Sequence, residues 1–187
     1  MKYLKSAVFP VDYPPEDRPE VAVAGRSNSG KSSFLNAIAK SKIAFVSQSP
    51  GKTRLLNFFD FGKIYRFVDM PGYGFASRAG DEVVEWTKMI ETYLGTRDNL
   101  KGLVLLMDLR REWSEDEELL KRFCTKVNIP LCVLLTKADK CNAKEKNAAL
   151  RLIRESSQTA NVFLISSQSG AGIEEVEEFI FRDWIQE

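Results

Sequence analysis

The sequence contains no histidine. Mechanisms that need an imidazole base, a Ser-His-Asp triad or a histidine-held metal are therefore excluded. Cysteine is scarce, with Cys124, Cys132 and Cys141 forming an odd set that includes no Cys-x-x-Cys pair. Neither a disulfide framework nor a zinc knuckle is expected, and the three read as reduced thiols of a cytoplasmic protein. Long apolar runs are missing as well, and none approaches the roughly 20 residues that span a bilayer. Met1–Pro10 has two lysines but neither the apolar core nor the cleavage signal of a secretory leader. The expectation is a cytoplasmic chain without membrane contact. Charge excess is absent too, since 27 Lys and Arg face 26 Asp and Glu for a formal net charge of +1. That balance argues against coating nucleic acid by bulk charge, although it leaves room for a local basic patch.

What is present is ordinary globular material: 187 residues, 44% hydrophobic and 28% charged. This is the size of one domain, large enough to bury about two-thirds of its unfolded surface. Residues 1–20 read as an extended N-terminal arm, because Pro10, Pro14, Pro15 and Pro19 oppose a helix there. Residues 21–187 read as a single domain. Short apolar runs at Val21–Ala24, Leu55–Phe61, Ile64–Asp69, Leu103–Met107, Leu131–Leu135 and Val162–Ile165 predict strands. Helical patterns cover Lys31–Ala39, Asp81–Leu94, a helix capped by Ser114 with Glu117 completing a capping box, Ala143–Glu155 and Ile173–Ile185. In the second of these, Val84, Met89 and Tyr93 are among the apolar positions. Gly62 separates two strands as a hairpin turn. The fold class is α/β with three layers: a mostly parallel six-stranded sheet, one strand antiparallel, and helices on both faces.

Four strand ends carry chemistry. Gly25-Arg26-Ser27-Asn28-Ser29-Gly30-Lys31-Ser32 follows a strand and opens a helix. G-x-x-x-x-G-K-S in that setting is a phosphate-binding loop. Its glycines let backbone N–H groups turn toward phosphate oxygens, and the helix N-terminus adds partial positive charge. Lys31 reaches the β- and γ-phosphates and Ser32 ligates Mg²⁺. Asp69-Met70-Pro71-Gly72 ends another strand; Asp69 serves Mg²⁺, and Gly72 can bring its N–H to the γ-phosphate. By itself this string is also an ordinary turn. Thr136-Lys137-Ala138-Asp139 follows a third strand; the Asp139 carboxylate matches the paired N1 and N2 donors of guanine, which adenine lacks, and the Lys137 stem can lie over the base. Ser166-Ser167-Gln168 would offer a backbone N–H to guanine O6. Thr53 in Pro50-Gly51-Lys52-Thr53-Arg54 would be a second Mg²⁺ ligand when the γ-phosphate is present. Gly51, Lys52, Arg54 and Leu55 are placed with the nucleotide contacts. Residues 41–53 and 72–81 are the candidate switches.

These strings together resemble the EngB (YihA/YsxC) family of bacterial GTPases, in the Era-like branch of P-loop GTPases. The resemblance runs from about Pro19 to the end. It rests on Gly25-Arg26-Ser27-Asn28, Gly30-Lys31-Ser32-Ser33, Pro50–Arg54 and Val68-Asp69-Met70-Pro71-Gly72-Tyr73-Gly74-Phe75-Ala76. Tyr93-Leu94, Arg97, Asp108 and Arg110 fit as well. It implies GTP hydrolysis with Mg²⁺, a partner in the large ribosomal subunit or its precursor, and a part in normal cell division and septation. Ser29 departs from the family's usual valine and is expected to point away from the phosphates. Lys31, Thr53, Gly72 and Asn28 carry the catalytic expectation.

The reaction is in-line attack of water on the γ-phosphate, driven by positioning and charge stabilisation. Where many GTPases place a water-orienting glutamine, this chain has Tyr73, so intrinsic hydrolysis is expected to be slow. In related GTPases an asparagine at the Asn28 position helps hold a potassium ion. Asn28 therefore either serves K⁺ or satisfies loop backbone. An ATPase or small-molecule kinase remains an alternative, as does a binding module whose nucleotide is structural. Lys140, Lys144, Arg151 and Arg154, with Asn147 among them, form a helical stripe that either meets RNA or is a solvated face. Phe58, Phe59, Phe61 and Phe67 read as packing rather than a base-stacking platform. A monomer is expected.

Overall fold

The computed structural model describes residues 1–44, 55–73 and 80–186, the side chains of 80–83, 85 and 86 excepted. In chain order its strands are β1 (Lys2–Ala7), β2 (Glu20–Gly25), β3 (Leu56–Phe61), β4 (Tyr65–Asp69), β5 (Leu100–Asp108), β6 (Leu131–Thr136) and β7 (Val162–Leu164). The helices are α1 (Lys31–Ala39), α2 (Gly80–Thr96), α3 (Glu115–Lys126), α4 (Ala143–Ser157) and α5 (Ile173–Ile180), the last continued by a π-helical turn, Phe181–Ile185.

The described strands form one seven-stranded sheet in the order β1-β3-β4-β2-β5-β6-β7. β2 pairs in parallel with β4 and β5, and β6 in parallel with β5 and β7. β3 is antiparallel to both neighbours, β1 and β4, so it alone runs against the rest. The expected count of six was one short. The arm is extended as its prolines require, but Lys2–Ala7 joins the sheet as its edge strand. One 3₁₀ turn, Pro10–Asp12, does form there, starting at a proline whose missing N–H costs nothing at that position.

Period-two alternation sorts each central strand onto two faces. Ala22, Ala24, Leu103, Leu105, Val133 and Leu135 pack with Ile90, Tyr93, Leu120 and Ile153 of α2, α3 and α4. Val21, Val23, Val104, Leu106, Cys132 and Leu134 pack with Phe34, Leu35, Val176 and Ile180 of α1 and α5. The π turn lays Trp184 over β5, where a Cβ on Gly102 would sit 2.6 Å from the indole; any larger residue would displace that ring. Met89 and Tyr93 of α2 are buried as expected, whereas Val84 is 65% exposed because it lies off their helical face. Phe58, Phe59 and Phe67 are core residues, and Phe61 stacks on Tyr65 with centroids 4.8 Å apart.

Candidate functional site

The parallel strands β2, β4, β5, β6 and β7 end on one edge of the sheet, and ligands of open α/β sheets bind beyond the carboxyl ends of such strands. Every described site residue predicted from the sequence lies on this edge or in the turns leaving it. Gly25 ends β2 at φ +155°, and a Cβ there would meet both Leu106 O and Ser29 Oγ at 2.5 Å. Only glycine lets the chain leave the strand this tightly. Asn28 and Gly30 are also left-handed, at φ 62° and 102°. Gly30 then caps α1, which begins with Lys31 and Ser32.

Lys31 Nζ donates to Gly25 O at 3.3 Å. Burial pulls its pKa below the ordinary lysine value, against the opposing charge of Asp69. Burial in turn pushes the Asp69 carboxyl up to about 6, with Lys31 pulling the other way. Asp69 Oδ1 is buried with no hydrogen-bond partner among the described residues. An ammonium and a carboxylate held beside each other at the mouth of a phosphate loop are suited to a phosphate and a cation respectively. Gly72 closes this corner: a Cβ on it would lie 2.9 Å from Ser27 Oγ and 3.3 Å from Lys31 Nζ. The D-x-P-G turn and the phosphate loop thus meet across a gap that excludes a side chain.

The Thr136–Asp139 turn is stitched to the same loop. The single Thr136 Oγ1–H lies within reach of two carbonyls, Ser29 O at 2.7 Å and Met107 O at 3.1 Å, with the shorter contact to Ser29. Lys137 stands at φ 60°, and its Nζ donates to Asn28 O at 3.1 Å and pairs with Asp108 Oδ2 at 2.9 Å. Asp139 is exposed and accepts from Ser166 Oγ at 2.6 Å. That bond, outweighing a small loss of hydration, keeps its carboxyl below the usual range. Ser166's own N–H is spent on Ala171 O at 3.0 Å. A backbone donor from this turn therefore falls to Ser167 or Gln168. Ala138 is buried, Met70 and Pro71 are buried beneath the D-x-P-G turn, and Leu55 leads into β3. Gly51, Lys52, Thr53 and Arg54 lie outside the described residues.

Asn28 is exposed, and its side chain makes no hydrogen bond to the loop among the described residues. Ser29 is 4% exposed, its hydroxyl turned inward and unpartnered among the described residues. Tyr73 is buried, its hydroxyl donating to Glu117 Oε1 at 2.9 Å, its ring 5.9 Å beneath the Arg26 guanidinium. Asp108 entered the sequence reading only as a mark of the family resemblance, with no role assigned to it. It sits at the end of β5, opposite Thr136 in register, and anchors both Lys137 and Arg110. An aspartate ending a buried apolar strand was the signal. Lys140, Lys144, Asn147, Arg151 and Arg154 are exposed, and none of these cations pairs with a carboxylate among the described residues.

A magnesium ion would fit here. No group of three or more carboxylate or thiol side chains converges among the described residues. Such a corner suits an ion held chiefly by a ligand's phosphates, with Ser32 and the orphaned Asp69 oxygen contributing.

Comparisons with known proteins agree with this geometry. The 50S ribosome-binding GTPase family matches residues 20–137. The GTP-binding protein EngB of Bdellovibrio bacteriovorus is 52% identical over 187 residues, 100% of this chain and 94% of that one. EngB of Geobacillus thermodenitrificans is 44% identical over 174 residues, 91% and 89% of the two chains. Among solved structures, an EngB crystal structure superposes with TM-score 0.72 at 25% identity, covering 87% of this chain and 97% of that one. Era of Aquifex aeolicus bound to GDP and AlF₄⁻ reaches TM-score 0.72 at 22% identity, over 90% and 57% of the two chains, a likeness of fold. The chain belongs to the EngB family of GTP-binding proteins, P-loop GTPases with a mostly parallel α/β sheet.

Proposed function

We propose that this protein binds GTP and GDP with Mg²⁺, hydrolyses GTP to GDP and phosphate, and acts as a nucleotide-controlled switch on the large ribosomal subunit or its precursor in the cytoplasm. The observation that carries the reading is the stitching of the base-reading turn to the phosphate loop, Thr136 and Lys137 bonded to the carbonyls of Ser29 and Asn28. It sets the distance between a guanine-matching carboxylate and a phosphate cradle, which an ATPase has no use for.

The amides from Asn28 to Ser32 and the Lys31 ammonium hold the phosphates, with Gly25, Arg26, Ser27 and Gly30 shaping the loop. Ser32, Asp69 and Thr53 would hold Mg²⁺, which supplies charge neutralisation when bound. Gly72 N–H meets the γ-phosphate. A water oxygen bonds to the γ-phosphorus, the bond from that phosphorus to the β–γ bridging oxygen breaks, GDP keeps the electron pair, and both of the water's protons leave with the phosphate as dihydrogen phosphate. Tyr73 occupies the position where many GTPases place a water-orienting glutamine. Its hydroxyl is committed to Glu117, which supports a slow intrinsic rate. Asn28 has its side chain available to a potassium ion, and the same assay in K⁺ and Na⁺ buffers reads that contribution. Ribosomal action and its consequence for division and septation are supported by the family, and the unpaired cations of α4 give RNA a surface.

The test is titration with fluorescent GDP, GTP and ATP analogues. Wild type should take guanine nucleotides only. Asp139→Asn should lose at least about tenfold in affinity, the worth of one charge-assisted hydrogen bond. Equal binding of ATP, or an unaffected variant, would sink the reading.

A further inference from the structure

Two described segments that bear on the γ-phosphate corner converge on one buried carboxylate outside the nucleotide motifs. Glu117 stands in the first turn of α3 and is 2% exposed. Its Oε2 accepts the Ser114 N–H at 3.0 Å and the Ser114 hydroxyl, closing the helix cap. Its Oε1 faces the site, taking Arg26 Nε at 3.1 Å and the Tyr73 hydroxyl at 2.9 Å. Arg26 is the second residue of the phosphate loop, and Tyr73 directly follows Gly72. Arg26 is held further by Asp116 at 2.6 Å and by Ser114 Oγ at 2.8 Å.

The backbones these two side chains come from are paired as well. Arg26 and Tyr73 form an isolated parallel bridge, and Ser27 N–H donates to Tyr73 O at 3.3 Å. The β2–β4 ladder, which ends at Val23 and Asp69, therefore resumes beyond the site. The result is the close approach already described, with Gly72 facing Ser27 and Lys31.

We infer that Glu117 is a positioning residue for the γ-phosphate. By binding Arg26 and Tyr73 through one oxygen, it fixes the spacing between Lys31 and Gly72, the two groups that only the third phosphate can bridge. The inference rests on the GTP reading given above. GDP has no γ-phosphate and does not reach Gly72, so loosening the clamp should cost GTP and spare GDP. A carboxylate needed only to cap α3 would show no such discrimination.

The measurement compares the affinities of GDP and a non-hydrolysable GTP analogue for wild type, Tyr73→Phe, Glu117→Gln and the double variant, alongside thermal unfolding. Tyr73→Phe keeps the ring and the helix cap and removes one hydroxyl. It should lower GTP-analogue affinity roughly tenfold, about one hydrogen bond to a charged group, with GDP affinity unchanged. Glu117→Gln should do the same or more, and the double variant should lose less than the sum, because both substitutions release the same oxygen. Equal losses for both nucleotides, or strictly additive losses, would reduce Glu117 to a structural cap and overturn the inference. An unchanged GTP-to-GDP ratio in Tyr73→Phe would do so as well. A wild type that binds neither guanine nucleotide would overturn the GTP reading itself, and the clamp with it. Guanine binding by wild type combined with an unmoved ratio would overturn the clamp alone.

Discussion

The two ends of β2 carry charge in opposite ways. At its first residue, Glu20 is wholly buried, yet both oxygens are filled: Arg66 and Arg97 on one, Arg97 and the Tyr93 hydroxyl on the other. Arg66 goes on to Asp60 at 2.7 Å, Asp17 at 3.2 Å and Pro15 O at 3.1 Å. Arg97 reaches Pro14 O and Glu16. At the other end, beyond Gly25, Asp69 keeps a buried oxygen without a partner among the described residues, and Lys31 has a carbonyl and a nearby carboxylate in place of a filled shell. One end uses charge to close the structure around the arm. The other holds charge ready for a ligand. The difference lies in charge: the closed end answers its buried carboxylate with cations, and its unpartnered buried atoms among the described residues, Tyr65 Oη and Asn99 Oδ1, are neutral, whereas the open end leaves a carboxylate oxygen unanswered.

The largest effect should come from breaking the closed end. Glu20→Ala leaves two arginines, 2% and 6% exposed at their side chains, without their shared anion. Removing one partner of a buried ion network costs about 3–5 kcal/mol, because the remaining charges lose their compensation. Urea unfolding should show that loss, while GDP affinity of the folded fraction stays within about twofold, since the substitution lies at the far end of the strand from the phosphate loop. A loss below about 1 kcal/mol would mean that water replaces the anion freely and that the two ends are alike.

The open end should respond with the opposite sign. Lys31→Ala removes a cation whose burial already disfavours its charge. Stability without nucleotide should stay level or rise, as it often does when a strained site is dismantled. Nucleotide affinity should fall about 100-fold, or roughly 2.7 kcal/mol, the scale of a charge-assisted contact to phosphate. Thermal unfolding with and without GDP measures both at once. A variant that loses stability without ligand by more than about 1 kcal/mol would show that Lys31 is structural and would erase the contrast.

This contrast also explains what the sequence discloses. The open end sits in short contiguous strings, because a loop leaving a strand must carry its phosphate-binding groups at fixed offsets; Gly25–Ser32, Asp69–Gly72 and Thr136–Asp139 could be placed without coordinates. The closed end joins Asp17, Glu20, Asp60, Arg66 and Arg97, each of which reads alone as a surface charge and acquires a partner only through the sheet order. The arm strand was hidden for a related reason. Lys2, Tyr3 and Leu4 are all exposed at the edge, so no two-residue alternation announces them. Glu117 was visible as a capping residue through its spacing from Ser114, but its outward oxygen meets Arg26 and Tyr73 from 91 and 44 residues away.

The finest test of the comparison is one hydroxyl. Ser29 sits inside the phosphate loop, 4% exposed, and its Oγ has no partner among the described residues. Its backbone carbonyl, by contrast, takes Thr136 Oγ1, so the residue's part in joining loop to base-reading turn belongs to the main chain. Ser29→Ala keeps that carbonyl and the loop's φ and ψ while removing a buried polar atom that nothing satisfies. A lone buried hydroxyl costs on the order of 1 kcal/mol in protein hosts, part of which returns as lost packing when the oxygen goes. The expected outcome is a gain of about 0.5 kcal/mol in unfolding free energy with GDP affinity unchanged. If the variant instead loses stability, the hydroxyl is satisfied by water, and the unpartnered buried atom of the open end among the described residues is the Asp69 oxygen, which would tie the unmet polarity of this edge to the proposed ligand alone.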